Sequence, residues 1–416
     1  MSTIHIVGGG MAGLSTAVFA ATGDARVVLY EAAGQAGGRC RSYHDATLDC
    51  VIDNGNHLVL SGNRAVHDYL AAIGARNALA GPVTAEFSFL DLNANERWII
   101  RPNDGPLPWW IFAGERRVPG TTPPDYFRLL PLLTAGPASS IEELIPCQGA
   151  LWQRLIRPLL LAALNTEPEK GSAALAAAVL RETLAKGGQA YRPRIATPNL
   201  AAAFVEPALR HLAAKSVMVH LGQRIRRIIF DTQDVLALEF PENAVPVSPH
   251  DTVVLAVPPW VAAELIPGLE TPNEFRSIVN AHYKIAAPAG APAMLGVIGG
   301  TAEWIFSFPD RISVTVSAAD AIVDKDRETL AELLWADVWR ALKLSPMLPP
   351  WQIVKEKRAT FAATPEQAAR RPGTKTRWRN LLLAGDWTDT GLPATIESAL
   401  RSGQKAAQLA RARVPV

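Results

Sequence analysis

The chain opens with alternating β-branched residues, Thr3 to Val7, a pattern that predicts a short strand. Three glycines, Gly8 to Gly10, mark a tight turn, and the small apolar residues from Leu14 to Ala21 fit a helix packed closely on that strand. Ala25 to Tyr30 reads as a second strand ending at Glu31. The run Asp251 to Val257 predicts a buried strand stopped by Pro258 and Pro259, and Val219 to Ile228 predicts another strand. Leu381 to Leu383 reads as a short buried strand before Gly385 and Asp386, with a helix from Thr395 to Ala410. Ala173 to Val179 predicts an alanine-rich helix. This alternation of strands and helices predicts an α/β fold.

At 416 residues the chain has room for about two or three domains, and 49% hydrophobic against 19% charged residues places it among globular proteins. The 41 basic residues nearly cancel the 39 acidic ones, so there is no electrostatic mandate for nucleic acid and none is expected as a partner. Three cysteines, Cys40, Cys50 and Cys147, form no CxxC pair, which argues against a disulfide framework or a metal site and for a reducing cytoplasm. The uncharged first 23 residues lack a basic start and are broken by glycines, so they suit neither a signal peptide nor a membrane span. Ile285 to Ala302, also uncharged, holds two prolines and four glycines and suits strands and turns.

The spacing Gly8-x-Gly10-x-x-Gly13 between a strand and a helix carries a mechanical meaning. Gly8 permits the sharp turn, Gly10 admits a pyrophosphate to the backbone, and Gly13 lets helix and strand approach. Met11 and Ala12 then open a helix whose N-terminus favours an anion. Glu31 stands where a carboxylate takes both hydroxyls of an adenosine ribose, and Ala32 follows it. A bound dinucleotide is expected.

The run from Glu31 through Gly37-Gly38-Arg39 resembles the extended fingerprint of the amine oxidase and phytoene desaturase flavoproteins, which implies FAD. By the same resemblance Arg39 reaches the diphosphate, Asp386 lies by the ribityl and phosphate portion, and the helix start at Thr395 and Ile396 points its amides at the flavin ring. Ile225 would sit by the adenine, and Gly38, Gly55, Asn56 and Gly385 belong to the same cofactor motifs. The resemblance implies a discontinuous Rossmann-like FAD-binding domain over 1–75, 196–258 and 375–416. The rest, 76–195 and 259–374, would form an inserted substrate domain of sheet plus helical lid. The resemblance narrows through Asp53-Asn54-Gly55-Asn56-His57-Leu58, Leu161 to Thr166, Lys357 to Pro365 and Gly385 to Glu397. Over nearly the whole chain it is similar to the squalene-associated hydroxysqualene dehydroxylases of bacterial hopanoid biosynthesis.

That resemblance implies removal of the hydroxyl of hydroxysqualene to give squalene at the expense of reduced FAD, which in turn requires an electron donor. Loss of the allylic hydroxyl leaves a delocalised cation that accepts hydride. The protein must then supply a donor to the departing oxygen and a dry apolar tunnel. His57 is the first candidate for that donor and Asn56 for positioning the hydroxyl, with Tyr283, next to His282, a weaker alternative. A desaturase of the phytoene type, running the flavin in the oxidative direction, and a non-catalytic FAD-containing lipid carrier remain open alternatives. An amine oxidase expects an aromatic ring where Thr395 stands. The segment 106–163 mixes Trp109, Trp110, Phe112, Tyr126 and Phe127 with Arg116, Arg117 and Arg128. That composition suits either a lid packed on its own protein or a peripheral contact with the inner face of the cell membrane.

Overall fold

The computed structural model describes residues 2–413; residues 1 and 414–416, at the outer ends of the expected cofactor domain, lie outside the described residues. A parallel five-stranded sheet has Thr3–Val7 at its centre, flanked by Arg26–Tyr30 and then Met218–His220 on one side, and by Thr252–Leu255 and Leu381–Leu383 on the other. Chain segments far apart in sequence thus meet in one sheet, and its central strands are buried along nearly their whole length. That burial suits their continuous Val, Ile and Leu content.

Two helices cover this sheet and fix its functional edge. Met11–Ala20 packs against Ile396–Arg411 so closely that a Cβ on Gly403 would lie 2.3 Å from the Ala12 carbonyl oxygen. The Ser15 hydroxyl donates to the Leu400 carbonyl across the same seam at 2.9 Å. Small residues at the seam allow this approach, and both helix N-termini consequently face one cavity.

A seven-stranded sheet builds the second half of the molecule, in the order Trp351–Phe361, Phe275–Tyr283, Ile312–Val316, Trp304–Ser307, Met294–Ile298, Phe87–Asp91 and Glu96–Ile100. Its pairs are antiparallel except Met294–Ile298 on Phe87–Asp91. One face packs on helix Arg327–Leu342 through Val279, Ala281, Tyr283 and Leu334. The other face, with Phe89, Trp98, Trp304 and Phe306, packs on the helical segment that includes Trp152 and Leu160. Helix Arg157–Leu164 there is entered through a π-turn, Trp152–Ile156, and helix Glu206–Ala214 through another, Ala201–Val205. Each α-helix carries proline near its start, Pro158 and Pro207. A wider turn relieves the clash between the proline ring and the preceding carbonyls.

One sequence expectation is corrected and a second is extended. Val219 to Ile228 is not one strand: Met218–His220 ends at a turn where Gly222 adopts φ +74°, and Arg227–Phe230 joins a separate antiparallel sheet. Left-handed backbone at Gly222 breaks the extended run, so Ile225 lies in the connection. Pro258 and Pro259 do not merely stop the strand. Pro259 begins helix Pro259–Leu265, where its missing N–H costs no intrahelical bond.

Candidate functional site

One cavity of about 1010 Å³ runs from the edge of the parallel sheet into the seven-stranded sheet. At the first end the glycine motif forms a cradle made almost entirely of backbone. Gly8 has φ +111°, and a Cβ there would lie 2.3 Å from the Ala256 carbonyl oxygen, so the turn requires glycine. At Gly10 a Cβ would meet no protein atom within 4 Å, because that position opens on the cavity. Gly10 also caps helix Met11–Ala20 without a side-chain bond, which leaves the first helical N–H groups, at Met11 and Ala12, for a ligand. The second glycine run docks onto the first, with Gly37 N–H donating to the Gly9 carbonyl at 2.8 Å.

Glu31 is already oriented. Its Oε2 accepts from Gly9 N–H at 2.5 Å and its Oε1 from Ala33 N–H at 2.7 Å, while the residue borders the cavity with Ala32 beside it. Gln223 N–H donates to the Glu31 carbonyl at 2.8 Å, which draws the connection carrying Ile225 to the cavity wall. Arg39 bridges two motifs: its guanidinium meets Asp386 at 2.8 Å and also donates to the Ala359 carbonyl. Gly38, Gly385, Asp386, Thr395 and Ile396 line the same space. Thr395 caps its helix by accepting from Ser398 N–H at 3.1 Å, so its side chain sets the helix start that faces the cavity.

Gly13 and Gly55 do not border the cavity; both act by close approach. A Cβ on Gly13 would lie 1.8 Å from the Gly8 carbonyl oxygen, and one on Gly55 would lie 2.8 Å from Asn280 Nδ2. Asn56 and His57 do line the cavity, at the join between the cradle and the apolar chamber. Burial pushes the His57 imidazole down to about 4, with the Arg39 charge adding to the shift and a hydrogen bond with the Arg39 backbone opposing it, so the ring is neutral at pH 7. Tyr283, by contrast, is fully buried on the opposite face of its strand. Its hydroxyl donates to the Ala331 carbonyl at 2.7 Å, which removes it as a donor to anything in the cavity. Neighbouring His282 is equally buried, with Nδ1 2.7 Å from the Ser313 hydroxyl.

The chamber beyond is apolar, walled by residues such as Phe87, Trp110, Leu160, Leu180, Met294 and Trp304. Among the described residues no His, Cys, Asp and Glu group could hold a metal ion. Burial pushes the Cys40 thiol up to about 12, so it stays protonated.

Sequence reasoning missed two supports. Arg371 is buried behind the Asp386 loop and donates to the carbonyls of Asp386, Trp387 and Thr388, which fixes the loop without occupying its carboxylate. Burial lowers this guanidinium to about 10. Glu397 accepts from Ala65 and Val66 N–H at 3.1 and 3.0 Å, capping helix Arg64–Ala72. Only the adjacent Arg370-Arg371-Pro372 and Thr395-Ile396-Glu397 runs could have drawn attention to them.

Comparison with known proteins places this architecture. Residues 11–411 match the family described as flavin containing amine oxidoreductase. A hydroxysqualene dehydroxylase of Rhodopseudomonas palustris is 54% identical over 408 residues, covering 98% of each chain, and one of Sinorhizobium fredii is 50% identical, again over 98% of each. The chain belongs to the flavin containing amine oxidoreductases, and within them to the hydroxysqualene dehydroxylases. Among solved structures, cyclohexylamine oxidase of Brevibacterium oxydans superposes with a TM-score of 0.73 at 14% identity over 99% of each chain. A mutant putrescine oxidase gives 0.72 at 16% identity, also over 99% of each. At that identity these oxidases share the fold. The α/β flavoprotein expectation and FAD as cofactor therefore stand, and FAD fits what the residues offer: a Cβ-free cradle, uncapped helix N–H groups and a preset carboxylate.

Proposed function

We propose that the protein removes the allylic hydroxyl of hydroxysqualene to give squalene. Full-length identity of 54% to a hydroxysqualene dehydroxylase carries this reading. The cavity supports it, because one continuous space joins a dinucleotide cradle to an apolar chamber. FAD, once reduced by an electron donor, supplies the hydride that replaces the hydroxyl. The hydroxyl would leave as water with a proton drawn from solvent, so that each turnover would consume two electrons and two protons. The chain's own part is to hold the cofactor at Gly8, Gly10, Glu31, Arg39 and Asp386, with Gly13 and Gly55 shaping the walls. His57 would donate a hydrogen bond to the departing oxygen, Asn56 would position the alcohol, and the chamber would keep competing water from the cation. Segments 1–75, 196–258 and 375–416 would serve the cofactor, and 76–195 and 259–374 the substrate.

Mixing pre-reduced protein anaerobically with hydroxysqualene tests this directly. One flavin should reoxidise per squalene formed, and phytoene should give no reaction. Hydroxysqualene binding without reoxidation would sink the reading and leave a carrier.

The substrate also requires a route from lipid. Among the described residues no helix is long and apolar enough to cross a membrane. Leu107, Trp109, Phe112, Phe127 and Leu130 are nonetheless exposed, Trp109 by 66%, within one short stretch of chain beside Trp110, which lines the chamber. With Arg116 and Arg128 nearby, this group would rest on an anionic membrane face and open the chamber toward lipid. Protein should sediment with anionic vesicles, and Trp109→Ser with Phe112→Ser should abolish that. Equal sedimentation of parent and double variant would refute the contact.

A further inference from the structure

We infer that Thr315 and Asn280 act as positioning residues that set the polarity of Asn56, so that an unpartnered hydrogen-bond acceptor lies beside the cavity for the hydroxyl of an alcohol. The inference rests on the proposed function and adds the feature that would tell the alcohol substrate from its hydrocarbon product.

The geometry is a chain of four groups. Asn280 and Thr315 are directly opposite each other on the antiparallel strands Phe275–Tyr283 and Ile312–Val316. Asn280 Nδ2 donates to the Asn54 carbonyl at 3.4 Å, an approach that Gly55 permits because a Cβ there would lie 2.8 Å from that nitrogen. The Thr315 hydroxyl donates to Asn280 Oδ1 at 2.7 Å. Asn56 Nδ2 donates to the Thr315 oxygen at 3.1 Å, and Asn56 Oδ1 is left buried with no donor in the protein. Asn54, Asn56, Asn280 and Thr315 all border the cavity.

Direction along this chain follows from one end. A backbone carbonyl can only accept, so the Asn280 amide must turn its NH₂ toward Asn54 and its oxygen toward Thr315. The threonine hydroxyl has a single hydrogen, already given to Asn280, and so offers only lone pairs to Asn56. Reversing the Asn56 amide would set two acceptors against each other. The free end is therefore an oxygen, and an unpartnered buried acceptor is costly until a donor arrives. Hydroxysqualene carries one such donor, its O–H. Squalene carries none, and leaves the acceptor orphaned once the hydroxyl has gone.

Binding to the oxidised, FAD-loaded protein reads this without turnover. Dissociation constants for hydroxysqualene and squalene in detergent micelles would be taken from the perturbation of flavin absorbance. Thr315→Val removes the relay hydroxyl at nearly constant shape. It should weaken hydroxysqualene about tenfold, leave squalene unchanged, and retain parental FAD content and melting temperature. Thr315→Ser should restore the parental ratio. Should Thr315→Val fold poorly, Asn56→Leu removes the terminal acceptor and should give the same selective loss. Equal weakening of both ligands, an unchanged ratio, or a shift in FAD affinity alone would overturn the relay. If the parent neither binds nor reduces hydroxysqualene, the proposed function itself fails. If the parent turns it over and Thr315→Val keeps the parental ratio, only the relay fails.

Discussion

The two ends of the cavity are built on different principles. The cradle is mostly backbone, glycine positions and helix N–H groups, joined by the Glu31 carboxylate and the Arg39–Asp386 pair, and most of it lies within residues 8–39. The chamber is side chain, drawn from strands as distant in sequence as Phe87–Asp91 and Trp351–Phe361 and from the helical segment around Leu155 and Leu160. A diphosphate is the same in every dinucleotide and can be met by fixed amides, whereas a hydrocarbon offers only shape. Local sequence therefore specifies the first end and tertiary assembly the second.

The sharpest test sets two glycines of the cradle against each other. Gly13→Ala would drive a Cβ to 1.8 Å from the Gly8 carbonyl, so helix and strand must separate. We expect loss of FAD and destabilisation of the cofactor-free protein by about 4 kcal/mol or more, measured by urea unfolding. Gly10→Ala meets no protein atom, so it should leave the cofactor-free protein near parental stability and weaken FAD alone. Equal destabilisation by the two would mean that the cradle is not separable from the packing beneath it.

In the chamber sheet the corresponding test is acid. Burial, helped by the Arg311 charge, pushes His282 down to about 4, against opposing pulls from the Asp53 backbone and the Asp45 carboxylate. Above pH 6.5 both folded and unfolded imidazoles are neutral. As pH falls from 6.5 toward 4 the unfolded ring takes a proton that the folded one refuses, and stability is lost, by up to about 3 kcal/mol. Glu303 acts with the opposite sign. Burial pushes its carboxyl up to about 7, so between pH 7 and 4.5 the folded protein binds the proton first and gains stability. The parent should thus show a shallow acid response. His282→Asn should make stability rise as pH falls below 6.5 relative to the parent, and Glu303→Gln should make it fall. Parallel pH profiles for all three proteins would remove both assignments.

Glu31→Ala returns to the cradle with a smaller effect. Its carboxylate already holds Gly9 and Ala33, so the variant should lose both loop order and the ribose contact. FAD should bind less tightly by about 2 kcal/mol in equilibrium titration. Unchanged affinity would mean that the adenosine lies elsewhere.

The same contrast explains what was legible in the sequence. Thr3–Val7, the glycine spacing, Glu31 and the Thr395 helix start follow from local rules and were readable. The resemblance puts Ile225 on a strand by the adenine; the residue does border the cavity, but the strand breaks at Gly222, where a single left-handed residue outweighs a β-rich run. Asn280 and Thr315 carry no local signal. They sit in strands that carry other polar residues, Arg276, Ser277 and His282 on one and Ser313 on the other, and only their opposition in the sheet shows that they act together. Arg371 is likewise one arginine among many until the fold sets it behind Asp386.

His57 stands where the two regions join, and its variant should have the smallest effect. With the imidazole held to about 4, an imidazolium acid would be present as roughly one part in a thousand at pH 7. A rate depending on it would rise about tenfold for each unit of pH lowered between 8 and 5. A neutral ring that donates only a hydrogen bond gives a flat profile over the same range. We expect the flat profile, and for His57→Ala about a tenfold slowing of flavin reoxidation by hydroxysqualene, equivalent to about 1.4 kcal/mol. FAD content should be unchanged, because the cradle does not depend on this side chain. An allylic departure already forms a stabilised cation, so the donor has little left to supply. A slope near minus one in the parent that disappears in His57→Ala would instead make the imidazolium the acid, and it would mean that the loaded site raises the proton affinity of this ring.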